Sequence, residues 1–420
     1  MAMSLAQKIL ARASGKPFVE EGEIIWAKPD LITIPEVSFP AYVKRLRDIG
    51  IRKFAHPERI VVVIDHEVPA HSQAGAERNR LTRELAASTH IGHFYDGEGI
   101  THPLVVERGL VSPGMFVIGA DTHTSAIGGV GALAIPFGME VTMPVARGDI
   151  WIRVPGTVRV HVHGRLQAGV GARDVVLAAL KLIDEEMANY RVIEYVGDTI
   201  SALSMPERMT IAGLSIDCGA EGGIIPADEA TIRALRSMGV DKAEMLAGDS
   251  AAPVHNEIHI DAHKLTPQVS IPPSPTHVRD ARELEKVRID HAYIGSCASG
   301  TLAELQAAAS LLKDKRIHPD VQLLIIPATR KIHEQAMRDG TLNILMQAGA
   351  QLSPSTCGPC FGGMAQLGAG EVRISTSTRN DRGRMGSPDA NIYLASALTV
   401  AASALTGHIT DVRTLLPSHE

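Results

Sequence analysis

"RIVVVID", residues 59–65, is a short run of β-branched apolar residues that ends on an aspartate. Such runs are typical of strands that helices cover on both faces, as in the parallel or mixed sheets of α/β proteins. Similar runs that also predict strands lie at 115–121, 157–164, 289–297, 321–329 and 371–378. Helical periodicity predicts helices over 302–314 and 396–407, with Gly407 as a C-terminal cap. The sequence therefore predicts an α/β fold.

Two stretches of sequence mark candidate domain boundaries. The chain of 420 residues is long enough for two or three domains of ordinary size. "RVPG" at 153–156 precedes a predicted strand whose residue pattern differs from that of the strands before it. "SIPPSPTHVRD" at 270–280 is a polar, Pro-rich stretch typical of a linker. These boundaries predict three α/β domains, at 1–155, 156–272 and 273–420.

Composition excludes several classes of protein. A net charge of −6 and an aromatic content of 4% argue against a nucleic-acid partner. The apolar runs are shorter than the roughly 20 residues of a membrane span. Four cysteines in so long a chain do not suggest a secreted disulfide framework, so we expect a cytoplasmic protein. The basic N-terminus could pass for a mitochondrial presequence, but Leu5, Ile9 and Leu10 favour an amphipathic first helix.

Reactive side chains cluster where predicted strands end. These clusters are Asp65 with His66, Asp121 with His123, Cys297, and the arginines Arg379, Arg382 and Arg384. In open α/β sheets, ligands bind beyond the carboxyl ends of the strands. Because several polar clusters share that topological position, we expect them to form one site.

The cysteine pair in "SPSTCGPCFGG" (353–363) allows three interpretations. A thioredoxin-like redox pair should open a helix, and Pro359 with the following glycines disfavours one. A zinc site or an iron–sulfur cluster needs further ligands, and Cys297 can join Cys357 and Cys360. We interpret Cys218 as buried structure. A cluster held by three thiolates would leave one iron free to act as a Lewis acid. The spacing alone does not decide between zinc and iron–sulfur.

The surrounding residue types indicate a reaction. Arginine binds carboxylates through two parallel hydrogen bonds, and histidine can protonate a departing hydroxyl near neutral pH. Metal coordination makes that hydroxyl a better leaving group. Together these features favour a hydro-lyase that acts on a hydroxy acid.

Several segments together resemble the aconitase/isopropylmalate isomerase superfamily, and most of all the short, homoaconitase-like 3-isopropylmalate dehydratase large subunits. The segments include "VVVIDHEVP", "GADTHTS", "VIEYVG", "YIGSC", "CGPCFGG" and "STSTRNDRGRMGSPDANIYLASALT". The resemblance covers nearly the whole chain. It implies three α/β domains around a central cleft that holds a [4Fe–4S] cluster.

The resemblance also implies roles for individual residues. The residues that match the three thiolate ligands of the cluster are Cys297, Cys357 and Cys360. The residues that match acid–base groups are Asp65, His66, His102, Asp121, His123 and Glu194. The residues that match substrate-binding arginines are Arg379 and Arg384. In this family a catalytic serine and a further arginine lie on a swivelling domain. Since no such segment follows here, we expect a separate small subunit as partner.

Four departures from the family pattern bear on the substrate. They are "PEVSFP" at 35–40, Glu67 after the Asp–His pair, "DEEMANYR" at 184–191, and "ASGT" at 298–301. We expect 3-isopropylmalate as substrate, with 2-methylmalate, 2,3-dimethylmalate or homoaconitate as alternatives. A different kind of function is that of a cluster-sensing protein that binds RNA or another protein after losing its cluster.

Overall fold

The computed structural model describes residues 2–416. The strands are β1 (Ile24–Ala27), β2 (Leu31–Pro35), β3 (Ile60–Ile64), β4 (His93–Asp96), β5 (Phe116–Gly119), β6 (Leu133–Pro136), β7 (Ile150–Arg153), β8 (Gly156–His163), β9 (Arg191–Val196), β10 (Gly222–Ile224), β11 (Asn256–Asp261), β12 (Gln268–Ser270), β13 (Val278–Asp280), β14 (His291–Ile294), β15 (Gln322–Ile325), β16 (Gln351–Leu352), β17 (Val372–Ser375) and β18 (Asn391–Ala395). The α/β class predicted from the sequence is confirmed.

Helices lie between these strands. They are α1 (Leu5–Ser14), α2 (Phe39–Asp48), α3 (Gln73–Thr89), α4 (Thr101–Glu107), α5 (Thr142–Arg147), α6 (Ala172–Leu182), α7 (Glu185–Ala188), α8 (Asp198–Ala202), α9 (Met205–Leu214), α10 (Glu229–Ser237), α11 (Leu302–Leu312), α12 (Arg330–Arg338), α13 (Thr341–Gln347), α14 (Gly358–Phe361) and α15 (Ala397–Thr406). Gly407 ends α15 in the left-handed conformation, with φ 83°, as the sequence predicts.

The chain forms two compact units, each built from separate stretches of sequence. Of the described residues, the first contains 2–97, 101–163 and 183–260, and the second contains 98–100, 164–182 and 261–416. The division into three domains at 155 and 272 stays a prediction. The Pro-rich stretch 270–280, interpreted above as a linker, instead lies inside the second unit, where β12 and β13 pair antiparallel.

A five-stranded parallel sheet forms the centre of the first unit. Its order is β4-β3-β2-β5-β6, and every neighbouring pair is parallel. The "IVVVI" run of β3 is fully buried, which explains why it contains no polar residue. Because β2, β3 and β5 are neighbours in parallel, the residues that follow them leave the sheet at the same edge.

A seven-stranded mixed sheet forms the centre of the second unit. Its order is β13-β12-β18-β17-β14-β15-β16, with β14 parallel to both β15 and β17. Helices α11 and α15 contribute buried Leu, Ala and Val side chains to its core. The segments that follow β14 and β17 therefore begin beside each other, and they contain Cys297 and the predicted arginines.

The N-terminal segment is the amphipathic helix that its sequence predicts. Leu5, Ile9 and Leu10 of α1 are fully buried, and Ser4 and Gln7 form a reciprocal capping box at its start. Among the described residues, no helix is both long enough and apolar enough to cross a membrane.

Candidate active site

The turn after β3 contains a buried ion pair. Nδ1 of His66 lies 2.8 Å from Oδ1 of Asp65. Oδ2 of Asp65 accepts two bonds of 2.7 Å from Thr101, one from the backbone N–H and one from the hydroxyl. Burial would lower the pKa of His66, but the charge and hydrogen bond of Asp65, together with Glu36, raise it well above its usual value. The two carboxylates therefore favour the protonated form of His66.

Glu36 holds this turn in place, and the sequence analysis did not identify it. Its carboxylate is fully buried just beyond β2 and accepts the backbone N–H groups of Asp65, His66 and Glu67 at 3.2, 2.9 and 3.0 Å. Its Oε2 also lies 3.5 Å from Nδ1 of His66. The departure at "PEVSFP" thus supplies a carboxylate that orients the Asp–His pair. Glu36 directly follows β2, the strand next to β3, and this position could have predicted that it lies at the same edge of the sheet as Asp65 and His66.

Glu36→Gln tests this structural role. The amide places an N–H donor where at least one backbone N–H now finds an acceptor, so we expect the free energy of unfolding to fall by about 1–3 kcal/mol. Urea denaturation followed by circular dichroism measures the difference. The control is Glu77→Gln on the exposed face of α3, where Glu77 pairs with Arg80. Equal stability of the two variants would contradict the role assigned to Glu36.

His102 and Asp121 form the second acid–base pair. Nε2 of His102, on α4, lies 2.8 Å from Oδ1 of Asp121, which also accepts the backbone N–H of His123 at 2.8 Å. Partial burial opposes ionisation of Asp121, but the hydrogen bond and charge of His102, with the charges of His123 and His66, hold its pKa well below its usual range. Since a carboxylate only accepts, His102 donates Nε2–H. Its buried Nδ1 has no hydrogen-bond partner among the described residues.

Two further predicted residues lie in the first unit. Nε2 of His123 is 3.6 Å from Oδ2 of Asp217, a fully buried carboxylate that the sequence analysis did not identify. Glu194 lies on β9 opposite Arg159 of β8, whose Nε and Nη2 both donate to its Oε2 at 2.9 Å. The first unit thus brings together Asp65 with His66 and His102 with Asp121, and Nε2 of His66 is 3.9 Å from Asp121. Glu194 forms a separate pair.

The three predicted thiolate ligands lie together in the second unit. Cys357 makes side-chain hydrogen bonds with both Cys297 and Cys360, and all three are free, buried thiols. The hydrogen bond from Cys357, aided by the charge of Arg384, holds the pKa of Cys360 well below its usual value. Ile100, Tyr293 and Ile326 form the apolar surroundings. The chain therefore assembles a buried cluster of three thiols in apolar surroundings.

The segment that contains Cys357 and Cys360 is helical, contrary to the sequence-based expectation. Cys357 occupies the N-cap position of α14, and Pro359 lies in the first turn, where its missing N–H and fixed φ are tolerated. Gly362, with φ 82°, ends the helix after one turn. The argument that this pair cannot be a redox pair because it opens no helix is therefore wrong. What now argues against a simple redox pair is the third thiol, Cys297, in contact with Cys357.

Cys218 is buried structure, as predicted. It lies in the first unit, is 2% exposed, and its Sγ donates to the carbonyl oxygen of Ser215 at 3.1 Å. Burial raises the pKa of the Cys218 thiol to about 12. It is therefore a protonated thiol that does not take part in the cysteine cluster.

Arg173 links the two segments that surround the cysteines, and it too was missed. It is 3% exposed on α6 and donates to the carbonyl oxygens of Thr376, Ser377 and Ala298 at 2.6, 2.8 and 3.3 Å. These bonds connect the segment after β14, which contains Cys297, to the segment after β17. A buried arginine far away in sequence gives no local signal, because its role depends on the fold.

The predicted substrate arginines differ in their surroundings. Nε of Arg384 donates to the carbonyl oxygen of Cys360 at 3.0 Å, so this arginine borders the cysteine cluster. Arg379 is half-buried and forms a two-pronged ion pair with Asp381, at 3.0 and 3.3 Å. The guanidinium of Arg379 is thus already arranged for a carboxylate.

The remaining departures from the family pattern have structural roles. Thr301 caps α11 through a reciprocal pair with Glu304. Glu67 is 4% exposed and pairs with Arg78 at 2.6 Å beside the Asp65–His66 turn. The stretch 184–191 contains the single-turn helix α7, which Asp184 caps. Of the departures from the family pattern, Glu36 and Glu67 therefore alter the contacts that hold the Asp65–His66 turn in place.

Comparisons with known proteins agree with this arrangement of residues. The model of the aconitase family (aconitate hydratase) matches residues 7–282 and 276–407. The 3-isopropylmalate dehydratase large subunit 1 of Methanopyrus kandleri is 40% identical over 99% of this chain and 100% of its own length. The 3-isopropylmalate dehydratase large subunits of Aquifex aeolicus and Moorella thermoacetica are 40% and 38% identical, over 97% of this chain and 96% and 98% of their own lengths. The chain belongs to the aconitase family.

Proposed function

We propose that this chain is the large, catalytic subunit of a [4Fe–4S]-dependent hydro-lyase that dehydrates and rehydrates a malate-type hydroxy acid, with 3-isopropylmalate as the expected substrate. The observation that carries the proposal is the cluster of three buried thiols, Cys297, Cys357 and Cys360, in a chain that also contains two Asp–His pairs. The enzyme class, a hydro-lyase, is that of the family.

The cysteine cluster fits the proposed cofactor. Three thiols would hold a cubane cluster, whereas a structural zinc site needs four compact ligands. Among the described residues, the compact groups of three metal-ligating side chains are His161 with His163 and His259, and Glu36 with Asp65 and His66; neither contains a cysteine. When bound, the cluster would supply an iron without a cysteine ligand as a Lewis acid.

The acid–base residues would donate and accept protons as the hydroxide leaves the substrate. The neighbouring carboxylates of Asp65 and Glu36 favour the protonated form of His66, so it would be the proton donor of the first pair. Asp121 fixes the Nε2–H tautomer of His102, which leaves Nδ1 as the nitrogen that gives or takes a proton. We assign His123 and Glu194 to the same site on the resemblance; Arg159 fixes the orientation of Glu194, and Asp217 places a carboxylate 3.6 Å from Nε2 of His123.

Arg379 and Arg384 would bind the substrate carboxylate. Asp381 now occupies the guanidinium of Arg379, so a substrate carboxylate would take over the same two N–H donors. Arg384 would place positive charge beside Cys360, where negative charge develops on the substrate.

We further infer a small-subunit partner that supplies the catalytic serine and another arginine. The relatives reported above support this, because each is named as a large subunit and is matched over nearly its whole length. Because Glu36 and Glu67 depart from the family pattern at the Asp65–His66 turn, 2-methylmalate, 2,3-dimethylmalate and homoaconitate remain candidate substrates.

The test is anaerobic co-purification with a candidate small subunit from the same organism, followed by iron and sulfide analysis and assays on a panel of these acids. We expect a brown protein that equilibrates one acid with its dehydrated form. A protein that contains zinc and no iron after reconstitution, or a clustered complex inactive on the whole panel, would refute the proposal.

Arg379→Lys tests the carboxylate site. A single ammonium cannot reproduce the two parallel bonds, so we expect KM to rise by about tenfold or more with a smaller change in kcat. Steady-state kinetics of the reconstituted complex measures both. Arg382→Lys is the matched control, because Arg382 is exposed in the same segment. An unchanged KM for Arg379→Lys would remove it from the substrate site.

A further inference from the structure

Three histidines form a cluster on one face of the β8–β11 strand pair, apart from the acid–base pairs described above. His161 and His163 alternate along β8, and His259 lies on the neighbouring strand β11. Residues two apart on a strand face the same side, so the "HVH" motif presents both rings together. One ring nitrogen from each of the three side chains lies within 4.8 Å of the other two.

The rings are stacked rather than hydrogen-bonded to one another. The centroids of His161 and His259 are 4.7 Å apart, with planes inclined by only 12°. His163 stacks on the same pair at 5.8 and 6.0 Å. Nε2 of His161 is buried and makes no hydrogen bond within residues 2–416. A buried ring nitrogen without a partner carries a cost that a bound metal ion would remove.

The charges near the cluster favour a cation. Oε1 of Glu257 lies 3.6 Å from Nε2 of His161, and Oδ1 of Asp198 lies 3.7 Å from Nδ1 of His163. The positive charge closest along β8 belongs to Arg159, which pairs with Glu194 at 2.9 Å and lies 4.0 Å from Oε1 of Glu257. Carboxylates beside metal-binding imidazoles act as a fourth ligand or as outer hydrogen-bond partners.

We propose that His161, His163 and His259 bind a divalent transition-metal ion of the kind that prefers imidazole, represented by Zn²⁺, with Glu257 or water in the fourth position. Tetrahedral zinc with bonds of about 2.0–2.1 Å brings ligand nitrogens to about 3.3 Å from one another. The nitrogens therefore need to approach by about 1–1.5 Å. Rotation of the two exposed rings, His163 and His259, provides this movement.

This site is independent of the proposed reaction, because none of its ligands belongs to the cysteine cluster or to the acid–base pairs. Isothermal titration of the full-length, cluster-containing chain with ZnCl₂ tests it. We expect one Zn²⁺ per chain, and we expect His163→Ala and His259→Ala each to weaken binding by at least about tenfold. The matched control is His255→Ala, which removes an exposed histidine four residues before His259 and should leave binding unchanged.

Zinc K-edge X-ray absorption on the same sample identifies the ligands without relying on variants. Nitrogen and oxygen neighbours at about 2.0 Å support the site, whereas sulfur at about 2.3 Å would assign the zinc to cysteines and overturn the proposal. Absence of zinc binding, or equal affinity of His163→Ala, His259→Ala and wild type, would overturn it as well.

Discussion

Cys357→Ser and Cys360→Ser are each expected to abolish iron and sulfide content together with dehydratase activity. Both residues contribute buried thiols to a cluster of three, and Cys357 contacts the other two. A hydroxyl ionises far less readily than a thiol, so serine offers a poor anionic ligand in an apolar site. Iron and sulfide analysis after anaerobic reconstitution, with visible absorption and an activity assay, measures the loss.

Cys218→Ser is the matched control for those variants. The serine hydroxyl can donate to the carbonyl oxygen of Ser215 as the thiol does at 3.1 Å, so the buried site keeps its hydrogen bond. Full cluster content and activity are expected. Retention of a normal cluster by Cys357→Ser, or its loss in Cys218→Ser, would show that the three thiols have been assigned wrongly.

Strands and the residues directly beyond them could be predicted from the sequence, because both depend on local pattern. The apolar run of β3 identifies a buried strand, and Asp65 and His66 follow where the strand must end. The parallel order β4-β3-β2-β5-β6 then brings the segment after β5, with Asp121, to the same edge. His66 and Asp121 consequently lie 3.9 Å apart, although no local spacing relates them.

Residues that support the site could not be predicted, because their roles depend on contacts between distant segments. Glu36, Asp217 and Arg173 each bind or face a predicted site residue or its loop, but each lies in an unremarkable stretch of sequence. The one-turn helix α14 was missed for a different reason. Pro359 was treated as a helix breaker, although proline is favoured in a first turn.

Asp121→Asn is expected to lower kcat by roughly 10²- to 10³-fold, with cluster content unchanged. The variant can keep the bonds from His102 Nε2–H and the His123 backbone N–H, since both reach Oδ1. It loses the negative charge beside the imidazoles, and it replaces Oδ2 with an N–H donor 3.9 Å from Nε2 of His66, whose protonated form Asp65 and Glu36 favour. The proton donors are thus disturbed while the fold is preserved.

The pH profile separates this role from a structural one. Because the pKa of Asp121 lies well below its usual range, the carboxylate stays ionised from pH 5 to 9, and its own titration should not appear in the wild-type profile of kcat. Removing its charge destabilises the imidazolium forms beside it, so any acidic group visible in that profile should shift to lower pH in Asp121→Asn. Asp48→Asn, which changes an exposed partner of Lys44 on α2, should alter neither kcat nor the profile. A drop in kcat for Asp121→Asn accompanied by loss of iron, or by a lower unfolding temperature alone, would assign Asp121 to the scaffold rather than to proton transfer.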